Sequence, residues 1–142
     1  MRMVVVATDG SACAGRAVDV AAGLAKDGGA SLLVLTVGGN AASDEVRAIA
    51  KAEGNAPEAL DLMANRILDE ARRRAAALGL EAVRVQTAWG DPAAMIIEVA
   101  RSERADAIVV GRRGHGQLVG LLLGSVSQKL VTLAPCAVVV VP

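Results

Sequence analysis

Five short segments of mainly aliphatic, often β-branched residues recur along the chain and predict five β-strands. They are Met3 to Thr8, Ser31 to Val37, Ala82 to Ala88, Ala107 to Val110 and Ala137 to Val141. All but the third are nearly continuous apolar runs, which is typical of strands buried on both faces of a parallel sheet. The third alternates polar and apolar residues, as a half-exposed edge strand does.

Apolar residues at helical spacing fill the intervals between these strands and predict four helices, over residues 14–25, 58–78, 92–100 and 125–133. Asp91 in the N-cap position, with Pro92 directly after it, is a strong start signal for the third helix.

The second helix is the most regular of the four, and the stretch before it is the least regular. Asp69 with Arg73, and Glu70 with Arg74, have the i,i+4 spacing of stabilising ion pairs on an exposed helix face. Residues 40–57 have a mixed pattern interrupted by glycine and proline, so we interpret them as a variable, partly helical excursion.

Strict alternation of strands and helices predicts a parallel sheet with helices on both faces. Because crossover connections are right-handed, the expected fold class is α/β, a Rossmann-like, doubly wound five-stranded parallel sheet of strand order 3-2-1-4-5. Ligands of such sheets bind at the carboxyl ends of the strands, where the winding direction reverses. In this order the reversal lies between the first and fourth strands, which end at Thr8 and Val110.

The composition fits one domain, residues 1–142, without a metal or disulfide framework. Its two cysteines, Cys13 and Cys136, are far apart and are expected to be free thiols. Lys plus Arg and Asp plus Glu both total 15, and Phe and Tyr are absent, so a nucleic-acid partner is not expected. No apolar run approaches the roughly 20 residues of a membrane span, and no signal pattern is present, so we expect a cytoplasmic protein with no membrane partner.

Glycines dominate the segment that follows the fourth strand. Gly111, Gly114 and Gly124 punctuate it, and Ser125 then begins the fourth helix. Glycine lets the backbone adopt positive φ and approach a ligand closely, while the first turn of a helix offers unpaired N–H groups and a partial positive charge. The segment therefore predicts an anion site, with phosphate as the expected ligand. The alternative is an ordinary loop, because every α/β protein needs loops after its strands.

The spacing G-x2-G-x9-G-S from Gly111 to Ser125, together with Asp9 after the first strand, resembles the universal stress protein family, and within it the ATP-binding branch. The resemblance extends over the whole chain, from VVVATDGS through GDPAAMIIEVA and GRRGHGQLVGLLLGSVSQKLV to APCAVVVVP. It implies ATP, ADP or AMP as the ligand and at most slow ATP hydrolysis.

The resemblance also implies how the nucleotide is held. Asp9 would contact the ribose region, the backbone of Val37 the adenine, and Gly111 with Gly114 the ribose and first phosphate. Residues 124–127 would hold the phosphates, and a Mg²⁺ ion held by phosphates and water is compatible with such a site. The complete set of candidate nucleotide-binding residues is Thr8, Asp9, Gly10, Ser11, Val37, Val110, Gly111, Arg112, Gly114, Gly124, Ser125, Val126 and Ser127.

Each polar side chain near this site has an alternative role. For Asp9 it is a turn or helix-capping role, as in many Asp-Gly-Ser triplets. No lysine precedes Ser125, so the loop is not a Walker A sequence, and Arg112 and Arg113 either contact phosphate or are simply solvated. His115, the single histidine, faces either phosphate or water, and no zinc site is expected.

The sequence contains no recognisable catalytic arrangement. It has no Ser-His-Asp or Cys-His pattern and no general base placed to activate water against a phosphate. Cys13 is either a redox-sensitive thiol at a helix start or a packed, inert one. Trp89 either packs at the sheet edge or contacts the ligand.

We therefore expect a nucleotide-binding module for stress response or signalling, in which the nucleotide orders residues 112–123 for an unidentified partner protein. The last strand, Ala137 to Val141, is apolar and lies at a sheet edge, so pairing with a second copy would give a homodimer, as the family also implies. The alternatives are a nucleotide-free dimeric interaction protein of the same fold and an enzyme with useful ATP hydrolysis. A response regulator is excluded, because the third strand ends in Ala88-Trp89 without a phosphoacceptor aspartate.

Overall fold

The computed structural model describes residues 1–38, 56–114 and 123–142, without the side chains of residues 56 and 57. The predicted excursion over residues 40–57 lies outside the described residues, except for its last two, which begin a helix.

Strands and helices alternate strictly, as predicted. In chain order the elements are β1 (Met3–Ala7), α1 (Ala12–Gly28), β2 (Ser31–Gly38), α2 (Ala56–Ala77), β3 (Val83–Trp89), α3 (Pro92–Ser102), β4 (Ala107–Gly111), α4 (Ser125–Leu133) and β5 (Ala137–Val141).

The strands form one parallel sheet of order β3-β2-β1-β4-β5, which confirms the predicted fold class and strand order. In the centre, Val5 of β1 stands in register with Leu33 of β2 on one side and Ile108 of β4 on the other. The winding direction therefore reverses between β1 and β4, whose carboxyl ends lie side by side.

Alternate residues of β1 point to opposite faces of the sheet and enter two separate hydrophobic clusters. Val4 and Val6 pack on the face covered by α1 and α2, where Val18 and Leu68 are also buried. Val5 packs on the other face, which α3 and α4 cover. Since the strand is buried on both faces, it needs the continuous apolar sequence from which it was predicted.

Helix boundaries follow from capping residues that are visible in the sequence. The Ser11 hydroxyl oxygen accepts from the Ala14 N–H at 3.2 Å, so α1 begins at Ala12, two residues before the predicted start. Asp91 caps α3 by accepting from the Ala94 N–H at 3.0 Å, and Pro92 is the first residue of that helix, as predicted.

The two ion pairs predicted within α2 are wrong. Arg73 pairs instead with Glu70 at 2.9 Å, one residue closer along the same helix. The Arg74 side chain extends from α2 to α1, where it donates Nε–H and an Nη2 hydrogen to the two carboxylate oxygens of Asp19, at 2.9 and 2.7 Å. A planar guanidinium matches both oxygens of a carboxylate at once, so the pair between helices is preferred to a single contact along α2. Hydrogen bonding to Asp19 also raises the pKa of Arg74.

Candidate functional site

A cavity of about 470 Å³ opens at the carboxyl ends of β1 and β4, where the sequence predicts the site. We call it the β1/β4 cavity. Its volume lies within the range of roughly 300 to 1,000 Å³ that is usual for small-molecule sites.

The β1/β4 cavity gathers the predicted nucleotide-binding residues except two, Gly10 and Ser11. Those that line it are Thr8, Asp9, Val37, Val110, Gly111, Arg112, Gly114, Gly124, Ser125, Val126 and Ser127. They come from the turn after β1, from β2, from β4 and the loop after it, and from the start of α4, which are separated along the chain and are brought together by the strand order.

The two predicted residues outside the cavity lining build the turn between β1 and α1. The Ser11 N–H donates to Asp9 Oδ1 at 2.9 Å, and the Gly10 N–H donates to Thr8 Oγ1 at 3.2 Å. Gly10 has a φ of +82°, which favours glycine, and the Ser11 side chain caps α1. Asp9 therefore has the turn role that is common for Asp-Gly-Ser triplets, and it also lines the cavity.

Gly111, Gly114 and Gly124 allow the backbone to approach its neighbours closely, as predicted. The positive φ that was also predicted for the glycines of this segment does not occur at these three. Among the described glycines, positive φ occurs at residues 10, 29, 79 and 90, and not at Gly111, Gly114 or Gly124. A Cβ atom on Gly111 would lie 2.9 Å from Cys13 Sγ and 3.1 Å from the Cys13 carbonyl carbon, so its missing side chain lets β4 pack on the start of α1. A Cβ atom on Gly114 would overlap Asp9 Oδ2, so Gly114 brings the loop against the carboxylate.

The backbone of Arg112 joins three parts of the site. Its N–H donates to the Val141 carbonyl oxygen at 2.7 Å, at the end of β5. Its carbonyl oxygen accepts from the Gly124 N–H at 2.8 Å and from the Ser127 hydroxyl at 2.9 Å, at the start of α4. Ser127 is only 2% exposed, and its hydroxyl also lies 3.1 Å from the Gly124 carbonyl oxygen. These bonds fix the first turn of α4 against the end of β4.

The start of α4 has the features of an anion site. Gly124 occupies the N-cap with φ −70° and ψ 168°, and it has no side chain that could accept from the first N–H groups of the helix. Gly124, Ser125, Val126 and Ser127 all line the β1/β4 cavity. The positive end of the helix dipole and N–H groups therefore face a space of ligand size.

Comparison with known proteins identifies the family to which this chain belongs. The model of the Universal stress protein family matches residues 1–142. This chain belongs to the universal stress protein family. It is 40% identical over 144 residues to a universal stress protein of Thermus aquaticus, covering 99% of this chain and 98% of the relative. It is 35% identical over 152 residues to universal stress protein YxiE of Bacillus subtilis, covering 96% and 95%.

A solved structure adds a ligand to the comparison. The crystal structure of a universal stress protein in complex with cAMP superimposes with a TM-score of 0.73 at 30% identity, covering 99% of this chain and 96% of that protein. The resemblance to the universal stress protein family predicted from the glycine spacing is thereby confirmed.

The universal stress protein fold also brings residues to the cavity that the candidate set lacked. They are Ala7, Ala14, Leu35, Pro92, Ile96 and Arg113. Pro92 and Ile96 belong to α3, which connects β3 to β4 and must cross the face of β2 and β1 in this strand order. In the sequence, Ile96 belongs to the apolar stripe of α3 and Pro92 marks the start of that helix. Neither signal indicates which cavity the residue borders.

Arg113 differs from its neighbour in how it sits beside the cavity. Arg112 is exposed, whereas Arg113 is half-buried and its Nε is out of reach of solvent. Among the described residues, nothing accepts a hydrogen bond from that Nε. His115 lies outside the described residues, as does most of the 112–123 segment that a nucleotide is expected to order.

The other candidate side chains are explained by packing. Cys13 and Cys136 are free and half-buried, as predicted, and the Cys13 thiol donates to the Val141 carbonyl oxygen at 3.2 Å. Burial, and then the negative charge of Asp106, raise the pKa of Cys136. The Trp89 ring lies against the Cα of Gly38, its partner in register on β2, and does not line the cavity.

Two further features are absent from residues 1–38, 56–114 and 123–142. No three His, Cys, Asp or Glu side chains there are grouped as metal ligands. None of the helices in those ranges is long and apolar enough to cross a membrane.

Proposed function

We propose that this universal stress protein binds an adenine nucleotide, ATP, ADP or AMP, in the β1/β4 cavity and acts as a nucleotide-dependent stress-response or signalling module. The observation that carries the proposal is the convergence, in one cavity, of the α4 N-terminus, which lacks a capping side chain, with an apolar wall. A relative 30% identical to this chain is in complex with cAMP, which is an adenine nucleotide, and this supports the ligand class.

The two ends of the cavity suit the two ends of a nucleotide. Val37 offers apolar surface for a planar base, and it packs against the buried cluster that contains Leu35 and Ile96. At the other end, the first turn of α4 offers N–H groups to phosphate oxygens, and Arg112 adds positive charge. A Mg²⁺ ion would be held by the phosphates and water, because this is the usual arrangement at nucleotide sites.

The β5 edge of the sheet is the proposed dimer contact. β5 lies at one end of the strand order, and its sequence, AVVVV, contains no charged residue. The opposite edge, β3, contains Arg84, which pairs with Glu103 at 2.8 Å. Charges protect an edge strand from pairing, so the uncharged edge is the one that a second copy would cover.

The deciding experiment identifies the ligand of the purified protein. Acid releases whatever is bound, chromatography identifies it, and calorimetry then follows titration of the emptied protein with ATP and AMP in the presence of Mg²⁺. We expect binding at micromolar or tighter affinity, or a nucleotide that co-purifies at about one per chain. The absence of both would leave the fold intact and support the nucleotide-free interaction protein.

Release of inorganic phosphate, measured in the same samples, separates a binding module from an enzyme. We expect at most trace turnover of ATP. Rapid Mg²⁺-dependent turnover would instead support a dedicated hydrolase.

A further inference from the structure

Ile67 of α2 packs against the turn that carries Asp9. A Cβ atom on Gly10 would lie 3.1 Å from Ile67 Cγ1 and 3.6 Å from Ile67 Cδ1. Because Gly10 has no side chain, Ile67 lies against the backbone of the turn itself. Ile67 is half-buried and does not line the β1/β4 cavity. It therefore contacts the wall of the site from behind, without bordering the space for a ligand.

The packing of α2 on α1 holds Ile67 in that position. Two turns further along α2, the Arg74 guanidinium passes over Gly15 of α1, where a Cβ atom would lie 3.1 Å from Arg74 Cζ. The same guanidinium donates to both carboxylate oxygens of Asp19, at 2.9 and 2.7 Å. Residues seven apart share one face of a helix. Ile67 and Arg74 thus belong to one stripe of α2, which follows the chain from the turn before α1 to Asp19.

The turn at Gly10 sets the position of the Asp9 carboxylate, which lines the cavity. Asp9 Oδ1 accepts from the Ser11 N–H at 2.9 Å, while a Cβ atom on Gly114 would overlap Asp9 Oδ2. Gly10 itself has a φ of +82°, and glycine leaves the backbone more conformational freedom than any other residue. A side chain that packs on Gly10 from outside restricts that freedom, and Ile67 does so.

We propose that Ile67 is a positioning residue of the nucleotide site, which holds the Gly10 backbone, and with it the Asp9 carboxylate, in the place where the nucleotide is bound. This inference rests on the proposed nucleotide-binding function and deepens it, because it assigns part of the affinity to a side chain outside the cavity. Binding sites keep their geometry when the residues behind them are locked by packing. Without Ile67 the turn shifts and the carboxylate loses its alignment, while the sheet remains folded.

The test is a double-mutant cycle that measures ATP affinity by calorimetry. Ile67→Ala removes both Cγ1 and Cδ1, whereas Ile67→Val removes Cδ1 and keeps Cγ1, the nearer contact. Each substitution is made in the wild-type protein and in the Asp9→Asn variant. The two backgrounds distinguish an effect that passes through the Asp9 carboxylate from an effect on the protein as a whole.

Leu68→Val is the matched control on the same helix. Leu68 is 5% exposed and belongs to the core between α2 and the sheet, so its truncation destabilises the fold without touching the turn. Thermal unfolding shows whether each variant is folded. If Ile67→Ala is unfolded in buffer alone, all proteins are compared in sucrose, which strengthens apolar burial.

We expect Ile67→Ala to weaken ATP binding by about fivefold or more, a usual effect between residues that are coupled through a backbone shift. Ile67→Val should bind ATP within about twofold of wild type, because the nearer contact is kept. In the Asp9→Asn background, Ile67→Ala should change the affinity by less than about twofold, since the carboxylate through which Ile67 acts is already absent. Leu68→Val should unfold at a lower temperature and bind ATP as wild type does.

Three results would overturn the inference while preserving nucleotide binding. One is wild-type ATP affinity in folded Ile67→Ala. Another is the same loss in both backgrounds, which would give Ile67 a role independent of Asp9. The third is an equal loss in Leu68→Val, which would attribute the effect to the stability of α2. If the wild-type protein does not bind ATP, the proposed function fails as well, and the wild-type titration alone shows this.

Discussion

Asp9 has two carboxylate oxygens in different surroundings. Oδ1 accepts the Ser11 N–H and closes the turn before α1, whereas Oδ2 faces the backbone of Gly114 in the cavity. The turn role needs only an acceptor oxygen, and the proposed ligand role needs the carboxylate itself. These two roles can be separated by substitution.

We therefore expect Asp9→Asn, which keeps an amide oxygen for the Ser11 N–H, to unfold close to the wild-type temperature and to bind ATP more weakly. Asp9→Ala removes the acceptor too and should lose about 1 kcal/mol of stability in addition. Thermal unfolding and calorimetric titration of both variants check this. Wild-type ATP affinity in Asp9→Asn would assign the residue to the turn alone.

Gly114 is the position at which an added methyl group should have the most local effect. Because a Cβ atom there would overlap Asp9 Oδ2, Gly114→Ala must displace either the loop or the carboxylate, and we expect ATP binding to be lost while the sheet stays folded. Gly23→Ala in α1 is the matched control, since a Cβ atom there meets nothing within 4 Å. It should raise stability by about 0.5 to 1 kcal/mol, the usual gain for replacing a glycine inside a helix.

Calorimetry and thermal unfolding of both variants measure these effects. Undiminished ATP binding by a folded Gly114→Ala protein would remove the phosphate-loop assignment.

For single residues, the sequence predicts which of them lie at the site but not which hydrogen bonds they form there. Chain position and spacing placed Asp9, Gly114 and Ser127 at one site, and all three line the β1/β4 cavity. The sequence did not show that the Ser127 hydroxyl would donate to the Arg112 carbonyl, because that bond depends on where the loop returns to the sheet.

Among the elements, β1 and β4 are joined at their amino ends by Asp106. Its Oδ2 accepts from the Arg2 N–H at 2.5 Å and from the Met3 N–H at 2.9 Å, and the Asp106 N–H donates back to the Met3 carbonyl oxygen at 2.9 Å. The hydrogen bonds from Arg2 and Met3 lower the pKa of Asp106 below its usual 3.8. The native state thus favours the ionised carboxylate.

Because the native pKa of Asp106 is lowered, its contribution to the free energy of unfolding depends on pH. Asp106 contributes its full stabilisation above the unfolded-state pKa near 3.8, and loses it as the pH falls through the lower native pKa. Asp106→Asn keeps an oxygen acceptor without charge, so it should be less stable than wild type near neutral pH. The difference should shrink below pH 3.8 as the wild-type carboxyl takes up its proton.

Urea unfolding of both proteins from pH 7 to pH 3 measures this, with Asp61→Asn on the exposed face of α2 as the control. A difference that is constant over the whole range would contradict the charged hydrogen bonds.

Element types and order could be predicted because strands and helices have different apolar periods and because α1 and α3 begin at capping side chains. The partners of long polar side chains were not. Glu70 was expected to pair with Arg74, but Arg74 reaches Asp19, which is distant in sequence and adjacent only after α1 and α2 pack on the same face. Helical spacing contains no information about that neighbour.

For the whole molecule, the strand order explains both what was predicted and what was missed at the site. The order places the ends of β1 and β4 together, so residues after those strands were identified in advance. It also carries α3 across the sheet, which makes Pro92 and Ile96 part of the wall. Their contribution requires the position of a helix over the sheet, which periodicity alone does not provide.

The same strand order leaves two different sheet edges, β3, which contains the charged Arg84, and β5, which contains no charged residue. If β5 pairs with β5 of a second copy, folding is coupled to association, so the midpoint of thermal unfolding should rise with protein concentration, by about 2 to 5 °C for each tenfold increase. Sedimentation should then give twice the monomer mass of 14.4 kDa.

Ala137→Lys places a charge at the exposed start of β5 and should shift the protein towards monomer, whereas Gln86→Lys on the β3 edge should leave the dimer unchanged. A concentration-independent midpoint together with a monomer mass would refute the β5 contact. A dimer insensitive to Ala137→Lys but dissociated by Gln86→Lys would move the contact to β3. In that case the charged edge would be the buried one, against the physical reason for choosing β5.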